Sequence, residues 1–203
     1  MQEPVIRRER PEDYSYVENM TREAFWNVYR PGCYEHYLLH TYRTDPDFIP
    51  ELDLVMELDG QIIGHVMYVH SVINADDGRQ IPIVTFGPIS IAPEWQGKGY
   101  GKYLVIESMK LAAQMGAGAV AITGSNVFYG KCGFSIAHTR GIRYENNPTA
   151  PYFLIAELKP GFLDGITGTF RDPDGYDIDE QKAEEFDAAF PPKERLKLPG
   201  QLG

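Results

Sequence analysis

Gly97, Gly99 and Gly101 alternate along the chain at a junction between a run that reads as a strand and a run that reads as a helix. No other feature constrains the chain as tightly. On one side lies IPIVTFGPISIA, residues 81–92, rich in β-branched residues. On the other, Leu104, Ser108, Leu111, Ala112 and Met115 recur at helical spacing, closed by Gly116 and Gly118. A helix that begins directly after a strand offers unpaired backbone N–H groups and a partial positive charge, and glycines let an anion approach without Cβ clashes. A pyrophosphate suits that loop. Two other phosphate loops fail against the string. A P-loop needs Ser or Thr after Gly101 and Lys102, where Tyr103 stands. A dinucleotide GxGxxG counted from Gly97 or Gly99 puts its third glycine at Lys102 or Leu104.

The remaining pattern supplies the elements around this junction. Residues 4–8 suit a first strand, and Pro11, Glu12 and Asp13 open a helix whose apolar stripe is Val17, Met20, Ala24, Phe25 and Val28, ending near Pro31 and Gly32. A second helix covers 33–43. LVMEL, a DGQ turn and IIGHVMYVHSVI form a hairpin, a turn at Asp76–Gly78 leads into the strand before the glycines, and AVAIT after the helix is a short buried strand. YFLIAEL, residues 152–158, is a further strand. Beyond Pro160 the chain turns acidic and turn-rich; there we expect a helix capped by Asp179 and a tail, PPKERLKLPGQLG. The order implies an α/β or α+β sheet, with one domain over 3–159 and an extension over 160–203.

Composition narrows the partners. The 203 residues are 43% apolar and carry a net charge of −10, which repels polyanions and makes nucleic acid a poor partner. The same field attracts cations, or serves solubility alone. No apolar stretch approaches the ~20 residues that cross a bilayer, and the amino terminus lacks the apolar core of a signal peptide. With only Cys33 and Cys132 present, reduced thiols and a cytoplasmic location are expected, without a membrane or a metal.

The string Gln96-x-x-Gly99-x-Gly101 after a strand, followed downstream by FYGKCGF at 128–134, resembles the GNAT acetyltransferase superfamily. The likeness covers residues 4 to about 159, and the tail resembles that of bacterial YhbS-type acetyltransferases. It implies a mixed, mostly antiparallel sheet flanked by helices and splayed at the fourth and fifth strands, with acetyl-CoA as acyl donor. By position, the backbone of Ile89, Ser90 and Ile91 would hold the pantetheine arm, and Gln96, Gly97, Lys98, Gly99, Tyr100, Gly101 and Lys102 the pyrophosphate. Lys98 and Lys102 are equally readable as solvated lysines. Tyr129 matches the proton donor to the thiolate, or packs its ring under the sheet edge. Asn126 is a further candidate for the pantetheine, although it stands three residues before Tyr129 where relatives have about seven. A backbone N–H near Ile91 is expected to face the developing oxyanion.

The same resemblance implies direct attack by a primary amine of a small molecule or peptide, on a monomer or homodimer. The alternative is a CoA-binding sensor without turnover. No base stands out: Thr85 occupies the strand position where relatives often carry glutamate, leaving His65, His70 or a water chain to a carboxylate such as Glu23. Cys132 is read as a small packing residue. His36 and His40, four apart, are read as a surface pair rather than zinc ligands, and DPDGYDIDE as turn plus cap rather than a calcium loop, because Gly175 sits at its fourth position. Trp26, Tyr29, Tyr34, Tyr37 and Tyr42 line an acceptor pocket or simply pack the helix pair on the sheet.

Overall fold

The computed structural model of the protein describes residues 3–201. The final two residues of the expected tail therefore lie outside the described residues. Strand β1 (Val5–Arg8) leads through a single 3-10 turn at Pro11–Asp13 into α1 (Tyr14–Phe25) and α2 (Glu35–Tyr42). Then come β2 (Leu54–Leu58), β3 (Gln61–Ala75) and β4 (Gln80–Ile91), the long helix α3 (Tyr100–Gln114) and β5 (Ala119–Thr123). The short pieces α4 (Asn126–Tyr129), β6 (Ser135–Ile136) and β7 (Ile142–Tyr144) precede β8 (Phe153–Glu157), β9 (Gly168–Phe170) and α5 (Glu180–Asp187). Helix α1 stops earlier than its apolar stripe suggests. Asn27 adopts φ 60°, and its side chain accepts the Gly32 N–H at 2.8 Å, so Val28 falls in a turn and lies exposed.

Among the described residues the strands form one sheet in the order β1-β2-β3-β4-β5-β8-β6, with β9 on the free edge of β3 and β7 on β9. Pairing is antiparallel except for β4–β5 and β7–β9. Period-two alternation decides which helix covers which face. Met56, Tyr68 and Phe86 pack under Leu104, Val105 and Ala112 of α3, while Val55, Met67 and Val69 pack under Val17, Met20, Leu38 and Leu39 of α1 and α2.

The sheet opens at one place. Strands β4 and β5 pair only at Val84–Val120 and Thr85–Ala121, after which β4 runs on to Ile91 with that edge free. The cause is local to β4: Gly87 and Pro88 together oppose the single residue Met67, a bulge, and bulges bend the strand that carries them.

The segment after residue 159 is knitted into the rest. β9 pairs with Ile73–Ala75 of β3, and Phe170 stacks on Phe153 at 4.8 Å. Asp179 caps α5 by accepting the Lys182 N–H at 3.1 Å. That helix seats Phe186 against His36, Tyr37 and His40, and it buries Asp187 beside Arg22 of α1, with Arg22 Nε donating to the carboxylate at 2.6 Å. His36 is therefore fully buried, 3.1 Å from Asp187, and the expected surface pair is corrected to one buried and one exposed histidine. Phe186 and Phe190 of the extension cover it.

Candidate active site

The glycine loop turns through two left-handed residues, Gly97 at φ 70° and Gly99 at φ 91°, and Gly99 is the residue before α3. A side chain at Gly99 would be strained whatever the space around it. Gln96 folds its side chain back, donating to the Ile91 carbonyl at 3.0 Å, and thereby fixes the loop to the end of β4. From Gly97 to Lys102 the backbone N–H groups have no acceptor among the described residues; the first to be paired is that of Tyr103, which donates to the Gly99 carbonyl at 3.1 Å. Six consecutive donors are therefore left unpaired at a helix start, the setting that favours an anion. Tyr100 faces the core against Trp95, and Lys98 lies 4.7 Å from the Trp95 ring centroid. A Cβ built on Gly101 would sit 3.5 Å from Phe128 and 3.7 Å from Ile91, so loop, strand end and α4 meet at that point.

Tyr129 stands on α4 beside the fork. It is 9% exposed, with its ring packed edge-on between Phe86, Phe128 and Phe134. Its hydroxyl has no hydrogen-bond partner among the described residues. Burial holds the phenol above its ordinary value, with the neighbouring Tyr29 and Cys132 acting the same way. The group is therefore protonated at neutral pH and free to donate. Cys132 is buried, its thiol pushed up by burial and directed at the Phe128 carbonyl at 3.8 Å, which suits packing and not nucleophilic attack. Asn126 begins α4 and borders Gly130.

Ser90 is buried and shares a hydrogen bond with Thr21 of α1 at 2.9 Å, so its side chain is occupied, and it stands opposite His65 in the β3–β4 ladder. Thr85 donates to the Ala121 carbonyl at 2.8 Å, at the last paired position before the fork. The bulge falls at Gly87–Pro88, upstream of Ile91 where an oxyanion donor was expected; Pro88 has no N–H, so the first donor beyond the bulge is Ile89. Tyr176, from the extension, reaches the fork in a way the sequence did not disclose. Its hydroxyl donates to the Gly87 carbonyl at 3.0 Å, and its ring lies 5.0 Å from that of Tyr42.

The candidate bases are placed elsewhere. His65 is fully buried, 2.7 Å from Asp53, and burial lowers it to about 4. His70 lies exposed on β3 beyond the fork, and Glu23 pairs with Lys193 of the tail at 2.6 Å. The five aromatic residues of the helix pair divide. Tyr42 is core, Trp26 and Tyr34 pack on Arg22 and Arg30, Tyr37 meets Phe186, and Tyr29 alone lies near Tyr129. Among the described residues no helix is long and apolar enough to cross a membrane.

Known proteins share this arrangement. Residues 51–136 match the family model described as the acetyltransferase (GNAT) domain. The chain is 26% identical over 164 residues to the uncharacterized N-acetyltransferase YhbS of Escherichia coli K12, an alignment covering 81% of this chain and 93% of that protein. The crystal structure of E. coli YhbS in complex with CoA superposes with a TM-score of 0.75 at 25% identity, covering 87% of this chain and 93% of the other. A GNAT family acetyltransferase from Brucella melitensis in complex with acetyl-CoA gives 0.68 at 25% identity, covering 87% and 99%. With the forked sheet and the glycine loop ahead of α3, the chain carries a match to the acetyltransferase (GNAT) domain over residues 51–136 and is similar in sequence and fold to GNAT N-acetyltransferases.

Proposed function

We propose that the chain transfers an acetyl group from acetyl-CoA to a primary amine of a small molecule or peptide, in the cytoplasm, with the site residues assigned as follows. The observation that carries this is the set of six unpaired N–H groups from Gly97 to Lys102, placed at the mouth of the fork between β4 and β5. Those donors suit the pyrophosphate of CoA, which the YhbS and Brucella proteins bind. The free edge of β4 from Ile89 to Ile91 offers backbone partners to an extended arm, as an added strand would. Acetyl-CoA supplies the activated acyl group. The Ile89 N–H, first beyond the proline of the bulge, is the donor assigned to the charge developing on the acyl oxygen. Tyr129 holds its proton at neutral pH and is the donor assigned to the departing sulfur, hydrogen-bonding to the negative charge that builds there as the carbon–sulfur bond breaks, since a thiolate of pKa about 8.5 is too weak a base to strip the phenol outright.

No side chain among the described residues is placed as a general base, so the chain relies on amine that arrives neutral or is deprotonated through water. Release of free CoA thiol from acetyl-CoA, measured against a panel of amines, tests the reading. Turnover with at least one amine is expected. CoA binding without turnover across the panel would instead favour a sensor.

A further inference from the structure

The chain has a second concavity, on the far side of the Tyr42–Tyr176 pair from the fork. It occupies the β3 edge between Asp47, whose carbonyl accepts the His70 N–H at 2.7 Å, and β9, which takes up that edge from Ile73. The gap forms a cavity of about 420 Å³ whose lining includes Asp47, His70, Ser71, Asp172 and Asp174, with Arg171 as its one cation among the described residues. A smaller cavity of about 200 Å³ meets the same turn at Gly175 and is lined by Asp45, Asp177 and Asp179. Two acidic segments, 45–47 and 172–179, thus face one another. Arg171 pairs with Asp174 at 2.7 Å and Lys182 with Asp179 at 3.4 Å, and Asp172 lies in the field of Arg171 and accepts from the Tyr144 hydroxyl, leaving Asp45, Asp47 and Asp177 without an ion pair among the described residues.

An independent feature points to a ligand. Tyr42 is 1% exposed and lines the smaller cavity, yet its hydroxyl has no hydrogen-bond partner. Leaving such a group buried and unpaired is costly. Its surroundings explain what it awaits: burial and the fields of Asp45, Asp47, Asp172 and Asp174 together hold the phenol protonated. Glycine at 175 lets the turn close over it, since a Cβ there would stand 2.7 Å from the hydroxyl oxygen. The Ser71 hydroxyl in the larger cavity is likewise unpartnered. An ammonium donates three hydrogen bonds and accepts none, so lone carboxylates and hydroxyl oxygens are the acceptors it needs.

The spacing selects among cations. The group with the geometry of a metal centre among the described residues is Glu9, Asp53 and His65, elsewhere in the molecule, so the aspartates around Tyr42 are too dispersed to close on one ion. We propose that these adjoining acidic cavities bind a linear polyamine, whose successive ammonium groups meet the aspartates of the two segments in turn. The site is distinct from the acetyl-transfer fork and touches it through Tyr176.

Calorimetric titration of the full chain with spermidine, without acetyl-CoA so that binding and turnover stay separate, tests this. Saturable one-to-one binding is expected. Asp47→Asn/Asp177→Asn, which neutralises one carboxylate in each cavity, should weaken it at least tenfold, and Tyr42→Phe should weaken it while leaving or raising Tm. Glu12→Gln/Glu107→Gln changes net charge equally on other faces and should leave affinity within twofold. Equal loss in both double variants, or no saturable binding to the unaltered chain, would overturn the proposal, as would full competition by magnesium at matched ionic strength.

Discussion

Replacing Asp187 by alanine should cost the fold about 3 kcal/mol, because it strands the most deeply buried cation of the described chain. The Arg22 guanidinium is 1% exposed, and Asp187 accepts from its Nε at 2.6 Å and from its Nη2 at 3.4 Å. Burial alone would raise the Asp187 carboxyl, but Arg22, His36 and Arg195 outweigh it and hold the group below its ordinary value. Breaking a buried pair by deleting one partner costs roughly 3–5 kcal/mol, most of it the penalty of the charge left behind. The lower end applies here because Glu23 lies 3.8 Å from Arg22 and the Trp26 ring 4.2 Å away, so some compensation survives. Urea unfolding with linear extrapolation would read the loss as a lower midpoint at constant slope. The joint variant Arg22→Met/Asp187→Leu removes both charges and should recover most of it, since apolar replacement of a buried pair is often neutral. A loss below about 1 kcal/mol for Asp187→Ala, or a joint variant as unstable as the sum of its parts, would refute the claim that this ion cluster clamps α5 to α1.

Tyr129→Phe keeps the ring among Phe86, Phe128 and Phe134 and should lower turnover by roughly 10²- to 10⁴-fold with little change in acetyl-CoA affinity; full activity would return the tyrosine to a packing role. Gly99→Val puts a branched side chain at φ 91° and should abolish CoA binding measured by calorimetry in a chain that still folds, whereas Gly101→Ala, whose Cβ meets ordinary contacts, should bind more nearly as before. Stability should peak near pH 6.5. Burial lowers His36 and His65 to about 4, so their contribution is present above the unfolded value of 6.5 and is lost as pH falls from there toward 4; burial raises Glu9 to about 7, so its contribution is lost as pH rises from 4.5 through 7. Thermal scans in Glu9→Gln should flatten the alkaline side of that profile, and an unchanged slope there would count against the assignment. Without a placed base, kcat/KM should rise with pH as the neutral amine appears, with a midpoint that follows each amine's own pKa; a common rise near pH 6 to 7 for all of them would reveal a dedicated enzyme base.

What could be read from the sequence was what the chain encodes within a few consecutive residues. The glycine loop declares itself because the left-handed turns at Gly97 and Gly99 and the tether from Gln96 lie within four positions, and the Asp179 cap lies three residues from the N–H it accepts. The fork was anticipated through resemblance, and its local cause was also visible: a Gly-Pro pair inside a strand marks a place where the ladder must break. Beyond that cap, the extension offered no signal of what it packs against. Asp187 meets Arg22 across 165 positions and Tyr176 meets Gly87 across 89, each through one side chain that leaves no periodic trace. His36 was misjudged for the same reason, since its helix looks polar on that side until Phe186 and Phe190 arrive from the far end of the chain. Strand β9 has three residues, too few to alternate, and finds its place only because β3 runs far enough to leave an edge at Ile73. Local chemistry thus announces where CoA would bind, while Tyr176 and α5 reach the fork and the helix pair from a distant segment. A test of acceptor choice therefore alters Tyr29, one of five aromatic candidates in the sequence and the one near Tyr129, and Tyr176, which no motif singles out, before it alters the loop.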